Sequence, residues 1–155
     1  KSPTTTEKDM GMAKVLADIA ELDIDVFAKE IFKVSSNISN KSMDELLNQD
    51  IKRFEIDGKA VAIAQIIAYQ VSEATELKAA MHDFVNAKAL DLLVVAFTSI
   101  LENGSIFYAS GELEKTVVEA FPDKEGETHS FQEDILSRKN QIVPLLSRAI
   151  INSIG

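Results

Sequence analysis

The chain has 155 residues, 46% hydrophobic and 26% charged, a composition that fits one globular domain and excludes a disordered or fibrous chain. Its 25 acidic against 16 basic residues leave a net charge of -9, which excludes general affinity for nucleic acid or an anionic membrane surface. There is no cysteine, which excludes disulfides and thiolate zinc sites and fits a reducing cytoplasm.

In chain order, residues 1–6 are polar and read as a linker end or helix entry. Thr4 with Glu7 and Thr6 with Asp9 offer two capping-box registers. Met10, Ala13, Ala17 and Ala20, with Val15, Leu16 and Ile19, form a broad helical stripe that Asp23 to Asp25 breaks. Val26, Phe27, Ile31 and Val34 predict a second helix ending near Asn37, and Ser42 with Glu45 caps a short third one through Leu47. The period then changes. Phe54, Ile56, Val61, Ile63 and Ile67 read as two strands, with Asp57-Gly58 between them as a hairpin turn. Glu73 to Ala89 returns to helix. Leu92 to Phe97 is a nearly unbroken apolar run, as expected of a central strand covered on both faces. Glu102 to Ser105 turns into a strand over Ile106 to Ala109. A helix follows over Leu113 to Phe121, then a polar loop from Pro122 to Thr128. A short strand over Phe131 to Leu136 and a closing helix over Gln141 to Ile154 complete the pattern. Strands interleaved with helices predict an α/β (α+β mixed) fold, a mixed sheet flanked by helices. No apolar run approaches the ~20 residues of a membrane helix, and no signal-peptide pattern opens the chain. A first residue Lys1 rather than Met leaves room for a longer protein.

Chemistry-bearing motifs are few. His82 and His129 have no metal-ligand spacing to a second histidine or a close carboxylate pair. The glycine-rich nucleotide loops and the Gly-x-Ser-x-Gly elbow are missing, so these residues supply neither a nucleophile nor a metal centre. Two basic clusters stand out in an acidic chain: Lys52-Arg53 before the first strand and Arg138-Lys139 at the entry to the last helix. By spacing alone, two basic pairs are most simply surface charge. Cations at a helix N-terminus, however, oppose its dipole by about 0.3–1 kcal/mol each, so their placement favours an anion site. Pro144 leaves two geometries open. A helix from Ser137 would be bent by it, and a helix from Val143 would leave the cations in a preceding loop.

Ser137-Arg138-Lys139-Asn140-Gln141-Ile142-Val143-Pro144 resembles the Ser-Arg-Lys-Lys-Gln-Val/Ile-Val-Pro motif of family II inorganic pyrophosphatases, which are DHH phosphoesterases. Lys1-Ser2-Pro3-Thr4, Gln49 to Phe54 (their Asp-x-Lys-x-Phe), Gly58 to Gln65 and Asp91 to Glu102 resemble further segments of that family in the same order. The resemblance implies that residues 7–155 are the DHH-associated C-terminal substrate-binding domain, with residues 1–6 ending an interdomain linker. It implies pyrophosphate as substrate, clamped by Lys52, Arg138 and Lys139. It implies Mn²⁺ or Co²⁺, with Mg²⁺, held by an N-terminal DHH domain of the same polypeptide and no metal on this chain. It also implies a cytoplasmic enzyme inactive as this chain alone, and admits a homodimer of the whole protein. Two departures stand out: Asn140 replaces the usual second lysine, and Ile66 to Gln70 differs from the usual Val-Asn-Thr-Val-Asp. An exopolyphosphatase-like DHH domain and a non-catalytic phosphate-binding regulatory module are the alternatives.

Overall fold

A computed structural model describes residues 5–20, 26, 41–68, 75–99, 103–122, 130–133 and 136–155. Helix α1 spans Glu7–Ile19 and starts at Thr6, whose hydroxyl accepts the Asp9 N–H while the Asp9 carboxylate accepts from Thr6. The second of the two capping registers is therefore the one used. Met12, Val15 and Leu16 on α1 are exposed. The helix expected from Val26 to Asn37 lies outside the described residues apart from Val26. Helix α2 (Met43–Gln49) carries the expected Ser42–Glu45 capping box and buries Leu46 and Leu47.

Five strands follow in one sheet: β1 (Ile51–Ile56), β2 (Lys59–Ala68), β3 (Leu92–Ser99), β4 (Gly104–Ser110) and β5 (Ser130–Glu133). They lie side by side in chain order. β2 and β3 are parallel, and every other neighbouring pair is antiparallel. The parallel pair needs a crossover, which helix α3 (Thr75–Lys88) supplies. The tight β1–β2 hairpin turns on Asp57 (φ 51°) and Gly58 (φ 75°), the left-handed pair that a two-residue turn between twisted strands requires. Helix α4 (Glu114–Ala120) follows β4, and helix α5 (Val143–Ile154) closes the chain. The last strand, expected over Phe131 to Leu136, begins at Ser130 and ends at Glu133.

Alternation along the strands builds two cores. On one face Ala62, Ala64, Leu93, Val95 and Tyr108 pack with Leu46 and Leu47 of α2 and Met81 and Phe84 of α3. On the other Val61, Ile63, Val94, Ala96 and Phe107 pack with Val117 of α4, Phe121, and Leu146 and Ile150 of α5. All eight residues of β3 are buried, as its unbroken apolar run requires of a strand between two helical layers. The Phe107 and Phe121 rings stack face to face, with centroids 4.2 Å apart and planes 2° off parallel.

Asp91 ties the strand ends together. Its carboxylate accepts the Ala60 N–H at 2.7 Å and the Lys59 ammonium at 3.2 Å, and its own N–H donates to the Ala60 carbonyl at 2.9 Å. The Ala60 N–H, together with Lys59, outweighs the opposing effect of burial and holds the Asp91 carboxyl below the usual aspartate range. Gly111 crosses this point at φ 126°, and a Cβ there would sit 2.3 Å from the Asp91 carbonyl oxygen.

Candidate functional site

Of the basic residues singled out by sequence, Lys52 and Arg138 meet near the start of β1. Phe54 and Ile56 of β1 face the core under α4 and α5, while Ile51 faces the other. Alternation therefore puts Lys52 on the α5 face and turns Arg53 away to the opposite one. The basic pair Lys52-Arg53 is thus split across the sheet, and only Lys52 shares a face with the second cluster. It is exposed and lies opposite Ile63 of β2.

Arg138 and Lys139 occupy neither a bent α-helix nor a loop. They open a π-helical turn, Arg138–Ile142, that runs into α5. The Ile142 N–H donates to Ser137 O at 3.1 Å and the Val143 N–H to Arg138 O, both five residues back. Pro144 then falls in the first turn of α5, where its missing N–H is tolerated. The widened turn thus accommodates the proline without a break. Ser137 caps it: its hydroxyl accepts the Asn140 N–H at 3.4 Å, and its own N–H donates to the Gln141 side-chain oxygen at 2.8 Å. This is a capping box stretched by one residue, Ser to Gln at a spacing of four where an α-helix uses three. The extra residue is why the usual template misses it.

Arg138 lies across the start of β1 and the middle of β2. Its Nη2 donates to Asp50 Oδ1 at 2.7 Å, and its Nη1 to Asp50 O at 3.0 Å and to Ile63 O at 3.4 Å. Only 10% of its side chain is exposed, against 50% for Asp50. The Asp50 carbonyl also accepts the Gln65 N–H at 3.0 Å, and the Gln65 side chain donates to Leu136 O at 3.4 Å. The chain entering the π-turn is therefore stitched to the sheet at two points. Through Ile63, the structure brings Arg138 to the β-ladder step that carries Lys52. Lys139 is exposed and makes no ion pair with any described residue. Asp50, Gln65, Ser137 and Gln141 are the site residues that spacing did not reveal. Asp50 is the aspartate of the Asp-x-Lys-x-Phe resemblance, but its part as the partner of Arg138 emerges only from the three-dimensional crossing of Arg138 over β1.

The arrangement can hold an anion: two exposed lysines, an arginine with part of its fork in use, and the start of a helical turn. Among the described residues no three His, Asp or Glu side chains come together as metal ligands. His82 lies on exposed α3 surface beside Asn86 and Asp83, and His129 lies outside the described residues. No described helix is long and apolar enough to cross a membrane.

A five-stranded mixed sheet between helices, with basic residues at a helix entry, defines a mixed α/β domain. Residues 29–149 match the DHHA2 domain, and the chain belongs to that family. It is 35% identical over its whole length to the cobalt-dependent inorganic pyrophosphatase of Clostridium perfringens, of which it covers 29%. It is 34% identical over 97% of its length to the manganese-dependent inorganic pyrophosphatase of Bacillus subtilis, of which it covers 50%. A crystal structure of a Methanococcus jannaschii protein assigned to the family II inorganic pyrophosphatases superposes with a TM-score of 0.74 at 35% identity, over 96% of this chain and 50% of that one. The chain thus spans half or less of these relatives.

Proposed function

We propose that this chain is the substrate-gripping C-terminal domain of a metal-dependent inorganic pyrophosphatase in the cytoplasm. The observation that carries the reading is the convergence of Lys52 and Arg138 on the Ile63 step, with exposed Lys139 next to Arg138 in the chain, in a domain similar to pyrophosphatase halves. Mn²⁺ or Co²⁺ on an N-terminal DHH half would supply the activated water. Lys52 and Lys139 act as mobile point charges on phosphate oxygens, and Arg138 offers a fixed planar donor edge. The three neutralise charge that grows on the departing phosphate, which is the stage at which a positioned cation contributes most. Closure of the two halves excludes water from between them.

The test compares the isolated chain with the whole protein, using Mn²⁺ and pyrophosphate. The isolated chain should be inert, and the whole protein should hydrolyse pyrophosphate faster than tripolyphosphate. Hydrolysis by the isolated chain, or a preference for tripolyphosphate, overturns the reading.

A further inference from the structure

Arg138 is not simply a cation near the surface; its guanidinium is held from one end. A guanidinium has five N–H donors in a rigid plane. Three are used here: two on Nη1, by the Asp50 and Ile63 carbonyls, and one on Nη2, by the Asp50 carboxylate. Asp50 supplies acceptors to both terminal nitrogens and so occupies the end of the fork. The Nε–H and the second hydrogen of Nη2 lie along the side, and no described residue accepts from either. That pair matches two oxygens of one phosphate group.

We infer that Asp50 is a positioning residue: its carboxylate and carbonyl lock the end of the Arg138 guanidinium so that the Nε edge faces substrate phosphate. This rests on the proposed role of Arg138 as a phosphate contact. Asp50 is well placed for it. It stands at the α2–β1 junction, and its carbonyl is also bonded to Gln65 of β2, so the lock is anchored to the sheet and not to a loose loop. An arginine already fixed in one rotamer loses less freedom when it binds an anion, which favours affinity.

The sign of the effect separates this idea from plain electrostatics. Asp50 is an anion beside an anion site. If it acted only through charge, its removal would tighten pyrophosphate binding. If it positions Arg138, removal weakens binding despite the charge gained. In the whole protein with Mn²⁺ and pyrophosphate, Asp50→Ala should lower kcat/KM about tenfold, the scale of one lost charge-assisted hydrogen bond. Asp50→Asn keeps a neutral acceptor for Nη2 and should fall between wild type and Ala. Added to Arg138→Ala, Asp50→Ala should cost nothing more. In the ¹⁵N spectrum of the 155-residue chain, the Arg138 Nε–H signal should shift in Asp50→Ala and shift less in Asp50→Asn. If Arg138→Ala leaves kcat/KM unchanged, the phosphate-contact reading fails and Asp50 has nothing to position. If Arg138→Ala is crippled while Asp50→Ala equals or exceeds wild type, the positioning role alone fails. Should Asp50→Ala not fold, Asp50→Asn carries the same comparison.

Discussion

Replacing Asp91 by alanine tests the knot that joins β2, β3 and the turn into α4. The substitution removes the charged acceptor of the Ala60 N–H, 2.7 Å away, and the partner of Lys59. A hydrogen bond to a charged group contributes about 1.5–3 kcal/mol. The Lys59 pair adds only a few tenths, about 0.2–0.5 kcal/mol, because its side chains are 34% and 27% exposed and water screens them. The expected loss is about 2 kcal/mol, or about 4–8 °C in Tm for a domain of this size. Its pH dependence is fixed by the direction of the Asp91 shift. The folded-state pKa is depressed, chiefly by the Ala60 N–H. The stabilisation is therefore complete above the unfolded value of about 3.9 and is lost as pH falls through the lower folded value. Urea unfolding of wild type and Asp91→Ala should differ by the full amount at pH 7, and the gap should narrow as pH falls below the unfolded value of about 3.9. A gap that stays constant with pH, or no gap at pH 7, would refute the assignment of this energy to the ionised carboxylate.

Further outcomes follow from other contacts. Gly111→Ala places a methyl 2.3 Å from a backbone carbonyl at φ 126°, so thermal unfolding should show a loss on the order of 3 kcal/mol. Phe121→Ala opens a hole against the stacked Phe107 ring and should cost about 3–5 kcal/mol by urea unfolding. In the whole protein, Arg138→Ala and Lys139→Ala should each lower turnover by about 10²–10³, and Arg53→Ala, on the opposite face of β1, should leave it near wild type. Asn140→Lys restores the charge the motif usually carries. Because Asn140 uses its backbone N–H in the Ser137 cap and its side chain is exposed, the change should leave Tm within about 1 °C, and steady-state kinetics should show a lower KM for pyrophosphate.

The sheet was legible in the sequence because its signals are local. Asp57-Gly58 supports little but a left-handed two-residue turn, and the six-residue apolar run that opens β3 has no polar face to turn to water. The helix entry was less legible. Pro144 suggested a bend or a loop, and the chain instead widens one turn, a choice set by the Ser137 and Gln141 caps and by Arg138 reaching to Asp50. Spacing cannot show that crossing, since Arg138 and Asp50 are 88 residues apart. For the same reason the Lys52-Arg53 pair looked like one cluster, although strand pleating sends the two side chains to opposite faces.

β1 pairs on one side only among the described residues, which makes Ile51–Ile56 a sheet edge. An exposed edge is a template for another molecule's strand, and charges along it discourage that pairing. Lys52, Arg53 and Glu55 are the exposed side chains there. The lysine assigned to phosphate therefore also guards against self-association. A Lys52 substitution chosen to weaken substrate binding would leave a more apolar edge, and light scattering should then show aggregation sooner on heating than in Lys139→Ala, whose residue lies off the sheet.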